Sequence, residues 1–172
     1  MEYIFLAGIH GVGKSTLAAK LENELNLKSL SISNLIRNAG KNLDSANKRT
    51  GDISQNQELW KMELKNLKIT EEILLLDGHF CLLDINKNIT PLPFTTFAGT
   101  DMSKVILMQK NTQTIREQLL KRDNIEYSVD ILQKLQENET YQAIKYSEEN
   151  NIKLFIFNES TDFPELIDFI TN

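Results

Sequence analysis

Eight residues near the start of the chain carry its strongest chemical signal. Gly8-Ile9-His10-Gly11-Val12-Gly13-Lys14-Ser15 has the spacing G-x-x-x-x-G-K-[ST], that of a phosphate-cradling P-loop. Glycines at 8, 11 and 13 let the backbone approach a phosphate, and successive N–H groups then face its oxygens. Lys14 has the reach for the β- and γ-phosphates, the Ser15 hydroxyl suits Mg²⁺, and Thr16 can reach the α-phosphate. The candidate ATP-binding residues are therefore Gly8, His10, Gly11, Val12, Gly13, Lys14, Ser15 and Thr16. His10 occupies a variable position of the loop, where an exposed side chain beside the phosphates is the simplest expectation.

The stretch "LLLDGHF", residues 74 to 80, offers the second requirement. An Asp at the end of a buried strand orients Mg²⁺ or its waters, which makes Asp77 the second candidate metal residue, with Ser15. Asp-Gly is also a common turn pair, so Asp77 could simply cap the turn. Gly78 and His79 follow it and are placed to line an acceptor side. The chain has one cysteine, Cys81, and two histidines without helical spacing, so neither an intrachain disulfide nor a Cys- or His-based metal site is expected.

These segments need a frame. Tyr3–Ala7 reads as a strand buried on both faces, and Ser15–Leu25 as a helix with Leu17, Leu21 and Leu25 on one side. A second strand is expected at Lys28–Ile32, then a short helix capped by Ser33 or Asn34 and running to about Ala39. Residues 40–54 read as a mobile connection. A helix over Gln55–Thr70 offers Leu59, Met62 and Leu67 for packing. Ile73–Leu76 is the third strand, residues 81–103 read as irregular, and Val105–Met108 is the fourth strand. Helices follow at Thr112–Arg122 and Val129–Asn150, the last strand at Leu154–Phe157 and a closing helix at Pro164–Ile170. Strands alternating with helices predict an α/β fold: a central parallel five-stranded sheet with helices on both faces, the three-layer sandwich of P-loop NTPases. Ligands of such sheets bind beyond the carboxyl ends of the strands, so Gly8 onward and Asp77-Gly78 should meet in space.

The 172 residues are expected to form one domain. A 41% hydrophobic content supports a sizeable core, and a net charge of -5 with scattered basic residues argues against a nonspecific nucleic-acid binder. No apolar run approaches the length of a membrane span, and with no secretory leader pattern at the start the expected location is cytoplasmic.

"GIHGVGKST", "LSISNLIRNAG" and "LLLDGHF", in this order, resemble the adenylate kinase and nucleoside-monophosphate kinase family, especially its compact archaeal-type and small nuclear-type members. The resemblance implies transfer of the ATP γ-phosphoryl group to a nucleoside monophosphate, with Mg²⁺. It places Arg37 on the acceptor phosphate through the element Ser31-Ile32-Ser33-Asn34-Leu35-Ile36-Arg37, with Ser33, Gly78 and His79 beside it. The acceptor segment would span about 33–70. "TIREQLLKRDN" resembles the family's lid, about 116–130, whose two arginine positions fall on Gln118 and Arg122; only the second keeps its cation, and Arg116 is a weaker candidate. Lys14, Asp77 and Arg122 are the implied catalytic residues. His79-Phe80-Cys81 stands where many members carry an aromatic, a proline and an arginine, and Lys41, Lys48 and Arg49 are candidates to supply the missing charge. Phe80, Phe94 and Phe97 suit either a base or the core. Two other outcomes stay open: a kinase of another small phosphate ester or hydroxyl compound, with Asp77 as base, and an ATPase that regulates a protein partner.

Overall fold

β1 (Glu2–Ala7) lies at the centre of the molecule, and its side chains alternate between two cores. Ile4 and Leu6 enter one, while Tyr3, Phe5 and Ala7 enter the other, as a strand covered on both faces requires. The computed structural model describes residues 1–43, 53–84 and 86–172. After β1 come α1 (Lys14–Glu24), β2 (Leu27–Ser31), α2 (Ile32–Leu43), α3 (Ile53–Asn66) and β3 (Ile73–Asp77). A small hairpin, β4 (Cys81–Leu83) and β5 (Ile89–Pro91), leads through a 3-10 turn at Phe94–Phe97 to β6 (Asp101–Met108). α4 (Thr112–Asp123), α5 (Val129–Asn150), β7 (Lys153–Phe157) and α6 (Phe163–Thr171) complete the chain.

The main sheet has the order β2-β3-β1-β6-β7, with every pair parallel. The expected fold class is present. Because the chain steps to opposite sides of β1, a crevice opens at the carboxyl ends of β1 and β3. One core joins the sheet to α1 through Leu17 and Leu21, to α4 through Ile115 and Leu119, and to α6 through Leu166 and Ile170. The other packs Leu35, Trp60 and Leu64 against Phe5, Phe80, Phe97 and Tyr146. The Phe5–Phe80, Phe80–Phe97 and Phe97–Tyr146 rings meet at 5.1–5.3 Å between centroids, in edge-on contacts. Asn111, Ser128 and Asp162 fix where the last three helices begin, since each side chain accepts a backbone N–H of the first turn.

Four expectations need correction. Residues 81–103 are not irregular, because they hold the antiparallel hairpin and the first residues of β6. Pro91 and Pro93, which break any helix here, sit at the hairpin's end and before the 3-10 turn, where a missing N–H costs little. α2 starts at Ile32 without the expected cap and runs through Gly40, whose cost in a helix interior, about 1 kcal/mol, is too small to stop it. Among the described side chains of α3 the buried ones are Trp60 and Leu64, whereas Met62 is 59% exposed. Residues 44–52 of the expected mobile connection, with Lys48 and Arg49, and the side chain of Lys41 lie outside the described residues. Among the described residues no helix is long and apolar enough to cross a membrane.

Candidate active site

α1 begins at Lys14 with no side-chain cap and no acidic residue in its first turn. Its leading N–H groups are left to an anion, as a phosphate site requires. Gly11 has a second reason to be glycine. Its φ is 83°, and a Cβ there would lie 2.6 Å from Leu119 Cγ on α4. The loop is therefore seated directly on α4, which carries Arg122.

Asp77 and the loop converge as the topology requires. Leu6 pairs with Asp77 in register, so β1 and β3 end side by side. Lys14 Nζ donates to the Gly8 and Ile9 carbonyls and lies 3.5 Å from Asp77 Oδ1. Burial pushes the Lys14 ammonium below its usual pKa, and the carboxylates of Asp77 and Glu139 oppose that shift. Burial likewise raises the Asp77 carboxyl, with Lys14 pulling it back. Gly78 allows this approach, since a Cβ on it would fall 2.6 Å from the Phe5 ring. His79 Nδ1 donates to the Gly8 carbonyl at 2.8 Å, and burial drives its pKa down to about 3, so the imidazole is neutral.

A cleft of about 1090 Å³ opens here. His10, Gly11, Gly13, Lys14, Ser15, Thr16, Ser33, Asp77, Gly78, His79 and Arg122 all line it. Gly8 and Val12 do not; Val12 is fully buried and anchors the loop to the core. Arg122 lies over the loop, with Nη2 2.6 Å from His10 Nε2 and 3.0 Å from Asp123 Oδ2. Arg116 is paired to Glu126 away from the cleft, while Gln118 lines it. Arg37 is not brought in: it is exposed, and its Nη1 donates to Asn34 Oδ1 at 2.9 Å on the rim. Ser15 and Asp77 both line the cleft and carry hard oxygen donors, the chemistry that suits Mg²⁺. Among the described residues there is no group of three or more His, Cys, Asp or Glu able to hold a metal.

Beyond the loop the cleft runs on between α2, α3 and the hairpin, where Ile32, Ile36, Trp60, Leu82, Leu92 and Phe97 form its wall. On the other side Lys20 Nζ sits 3.7 Å above the ring of Phe163, and both residues border the cleft.

Two contributors were missed by sequence reasoning. Trp60 is not among the residues singled out on the expected helix, yet it closes the far wall. Glu139 is 1% exposed and accepts N–H bonds from Gly8, Phe80 and Cys81. One signal was available: Leu132, Leu135, Glu139, Ala143 and Tyr146 follow helical spacing, which puts a glutamate on an apolar stripe.

Among curated proteins, none matches the sequence. A gluconokinase from Sinorhizobium meliloti 1021 aligns in structure with a TM-score of 0.49 at 10% identity, over 97% of this chain and 87% of its own. A family model described as an AAA domain matches residues 7–136, which include the loop, Asp77 and α4. With its phosphate loop and sheet in place and more than half of its length matched, the chain belongs to that AAA-domain family.

Proposed function

We propose that the chain is an ATP-dependent kinase acting on a nucleoside monophosphate. The observation that carries this reading is the far half of the cleft. Its apolar and aromatic wall, from Ile32 and Ile36 to Trp60 and Phe97, suits the flat face of a nucleobase. Ser33, Asn34, Gln57 and Thr96 line the same half, so the polar edge of a base and its sugar would find partners beside the apolar face.

In this reading the triphosphate lies along Gly11–Thr16, with Lys14 on its β- and γ-oxygens. Ser15 and Asp77 would hold Mg²⁺, which when bound offsets phosphate charge. An acceptor phosphate oxygen is already ionised and attacks the γ-phosphorus without a general base, while the bond to the bridging oxygen breaks and ADP leaves. The protein's task is positioning and charge neutralisation, shared by Lys14 and Arg122. Arg37 would turn inward from Asn34 to meet the acceptor phosphate, with Ser33, Gly78 and His79 beside it.

The outward position of Arg37 favours a second reading, in which the acceptor is a small hydroxyl compound and Asp77 serves as base. A panel assay separates the two. MgATP is incubated with AMP, CMP, UMP, GMP, the deoxy forms and small hydroxylated metabolites, and ADP and phosphorylated product are followed. The nucleotide reading expects at least one monophosphate to accelerate ADP release with stoichiometric diphosphate formation. Slow ADP release that no monophosphate accelerates would overturn it and favour an ATPase.

A further inference from the structure

Glu139 sits midway along α5, where the helix passes from one core to the other: Leu132 and Leu135 belong to the first, Ala143 and Tyr146 to the second. Its Oε1 accepts from the Gly8 N–H at 3.2 Å and the Phe80 N–H at 2.9 Å. Its Oε2 accepts from Phe80 at 3.0 Å and Cys81 at 2.7 Å. Three backbone donors thus converge on one carboxylate, two of them from successive residues. No lysine or arginine among the described residues pairs with it directly, and its side chain does not line the cleft. It is not placed to touch a substrate.

What it does touch is the pair of segments that make the site. Gly8 opens the phosphate loop, and its carbonyl receives both Lys14 Nζ and His79 Nδ1. Phe80 and Cys81 directly follow His79. The ladder between β1 and β3 ends at Leu6 and Asp77, so past that point the two strands have parted. Glu139 bridges them there from a third element.

We propose that Glu139 is a positioning residue, whose ionised carboxylate sets the spacing between the phosphate loop and the exit of β3 and thereby the mutual placement of Lys14, Asp77 and His79. All three of its partners are N–H donors. A neutral amide or acid at this position has only one good acceptor oxygen and presents a hydrogen to a donor, so it cannot serve all three.

The proposal rests on ATP turnover at this site, and two variants test it. Glu139→Gln keeps length and loses charge; Glu139→Asp keeps charge and loses reach. Each is measured at about pH 8, where the wild-type carboxylate is ionised, by thermal melt, MgATP affinity with a fluorescent ATP analogue, kcat and KM with the best acceptor, and amide exchange. In folded Glu139→Gln we expect the Gly8, Phe80 and Cys81 amides to exchange faster. We expect kcat to fall on the order of 10- to 100-fold, since small misplacements near reacting groups cost that much. The KM for ATP should change by no more than about threefold, because the downstream loop amides that meet the phosphates are untouched. Glu139→Asp should lose kcat as well, and it carries the test alone if Glu139→Gln does not fold. Wild-type kcat in the folded variants overturns the proposal. So does a Glu139→Asp that retains full kcat, which would leave only a counter-charge for Lys14. If the wild-type chain phosphorylates no acceptor, the kinase reading fails by itself, and the same comparison is made on ADP release from MgATP alone.

Discussion

Replacing Gly11 with alanine probes how the loop and α4 are joined. The backbone at Gly11 has φ 83°, a left-handed conformation that costs a residue with a Cβ about 1–2 kcal/mol. The new methyl would also lie 2.6 Å from Leu119 Cγ and 2.7 Å from Cδ2, roughly 1 Å inside the usual carbon–carbon contact. Leu119 is 1% exposed and cannot swing away, so overpacking adds about 1–3 kcal/mol. Gly11→Ala should therefore destabilise by about 2–5 kcal/mol. Leu119→Ala alone empties a core site and costs about 2–5 kcal/mol. In the double variant the cavity accepts the methyl and only the backbone strain is added, so the two changes should fall short of additivity by about 1–3 kcal/mol. Urea unfolding of the four proteins gives the cycle. ATP affinity should follow the same pattern, because Arg122 lies three residues beyond Leu119 and moves with α4. Additivity within about 0.5 kcal/mol would refute the contact, and a Gly11→Ala cost below about 1 kcal/mol would refute the strain as well.

Three further outcomes are expected. Lys14→Ala should lower kcat by about 10²–10³-fold or more, as loss of a preorganised charge on a transferring group does; ADP release within tenfold of wild type would contradict its role. Trp60, the single tryptophan, lines the far wall of the cleft, so its emission should change when an acceptor monophosphate binds and stay constant with MgATP alone; an unchanged spectrum at saturating acceptor would remove the base from that wall. The third outcome concerns pH. Burial lifts the Glu139 carboxyl to about 7 against its three amide donors and the charge of Lys14, with the buried Cys81 thiol and neutral His79 as its other titratable neighbours. The carboxylate that does the positioning is then the form present above about pH 7, whereas below it the folded state holds a proton that the unfolded chain has released; this group's contribution to stability is full below about pH 4.5 and is lost as pH rises through about 7. Relative to Glu139→Gln, wild-type stability should fall by about 2 kcal/mol between about pH 5.5 and about pH 7.5, measured by urea unfolding. A rise with pH in that difference would reverse the assignment.

By itself the sequence determined whatever is carried by neighbours along the chain. The glycine spacing, the lysine and the hydroxyl of the phosphate loop are contiguous, and a strand–loop–helix is a local object. The burial of β1 on both faces, the strand-end position of Asp77 and the start of α5 at Val129 were equally readable, because such patterns act over one or two turns. Parallel topology then brought Asp77 to Lys14 as a matter of geometry. What only the tertiary structure decided depends on partners far apart in sequence. Gly11 needs to be bare because of Leu119, 108 positions away, and Glu139 can be buried because the amides of Gly8, Phe80 and Cys81 meet it there. Arg37 matches its expected motif, yet a bond to Asn34 one helical turn away holds it on the rim, since a long charged side chain settles wherever water and the nearest acceptor allow. The hairpin at 81–91 joins two three-residue strands whose pairing and packing against α5 leave too short a pattern to read.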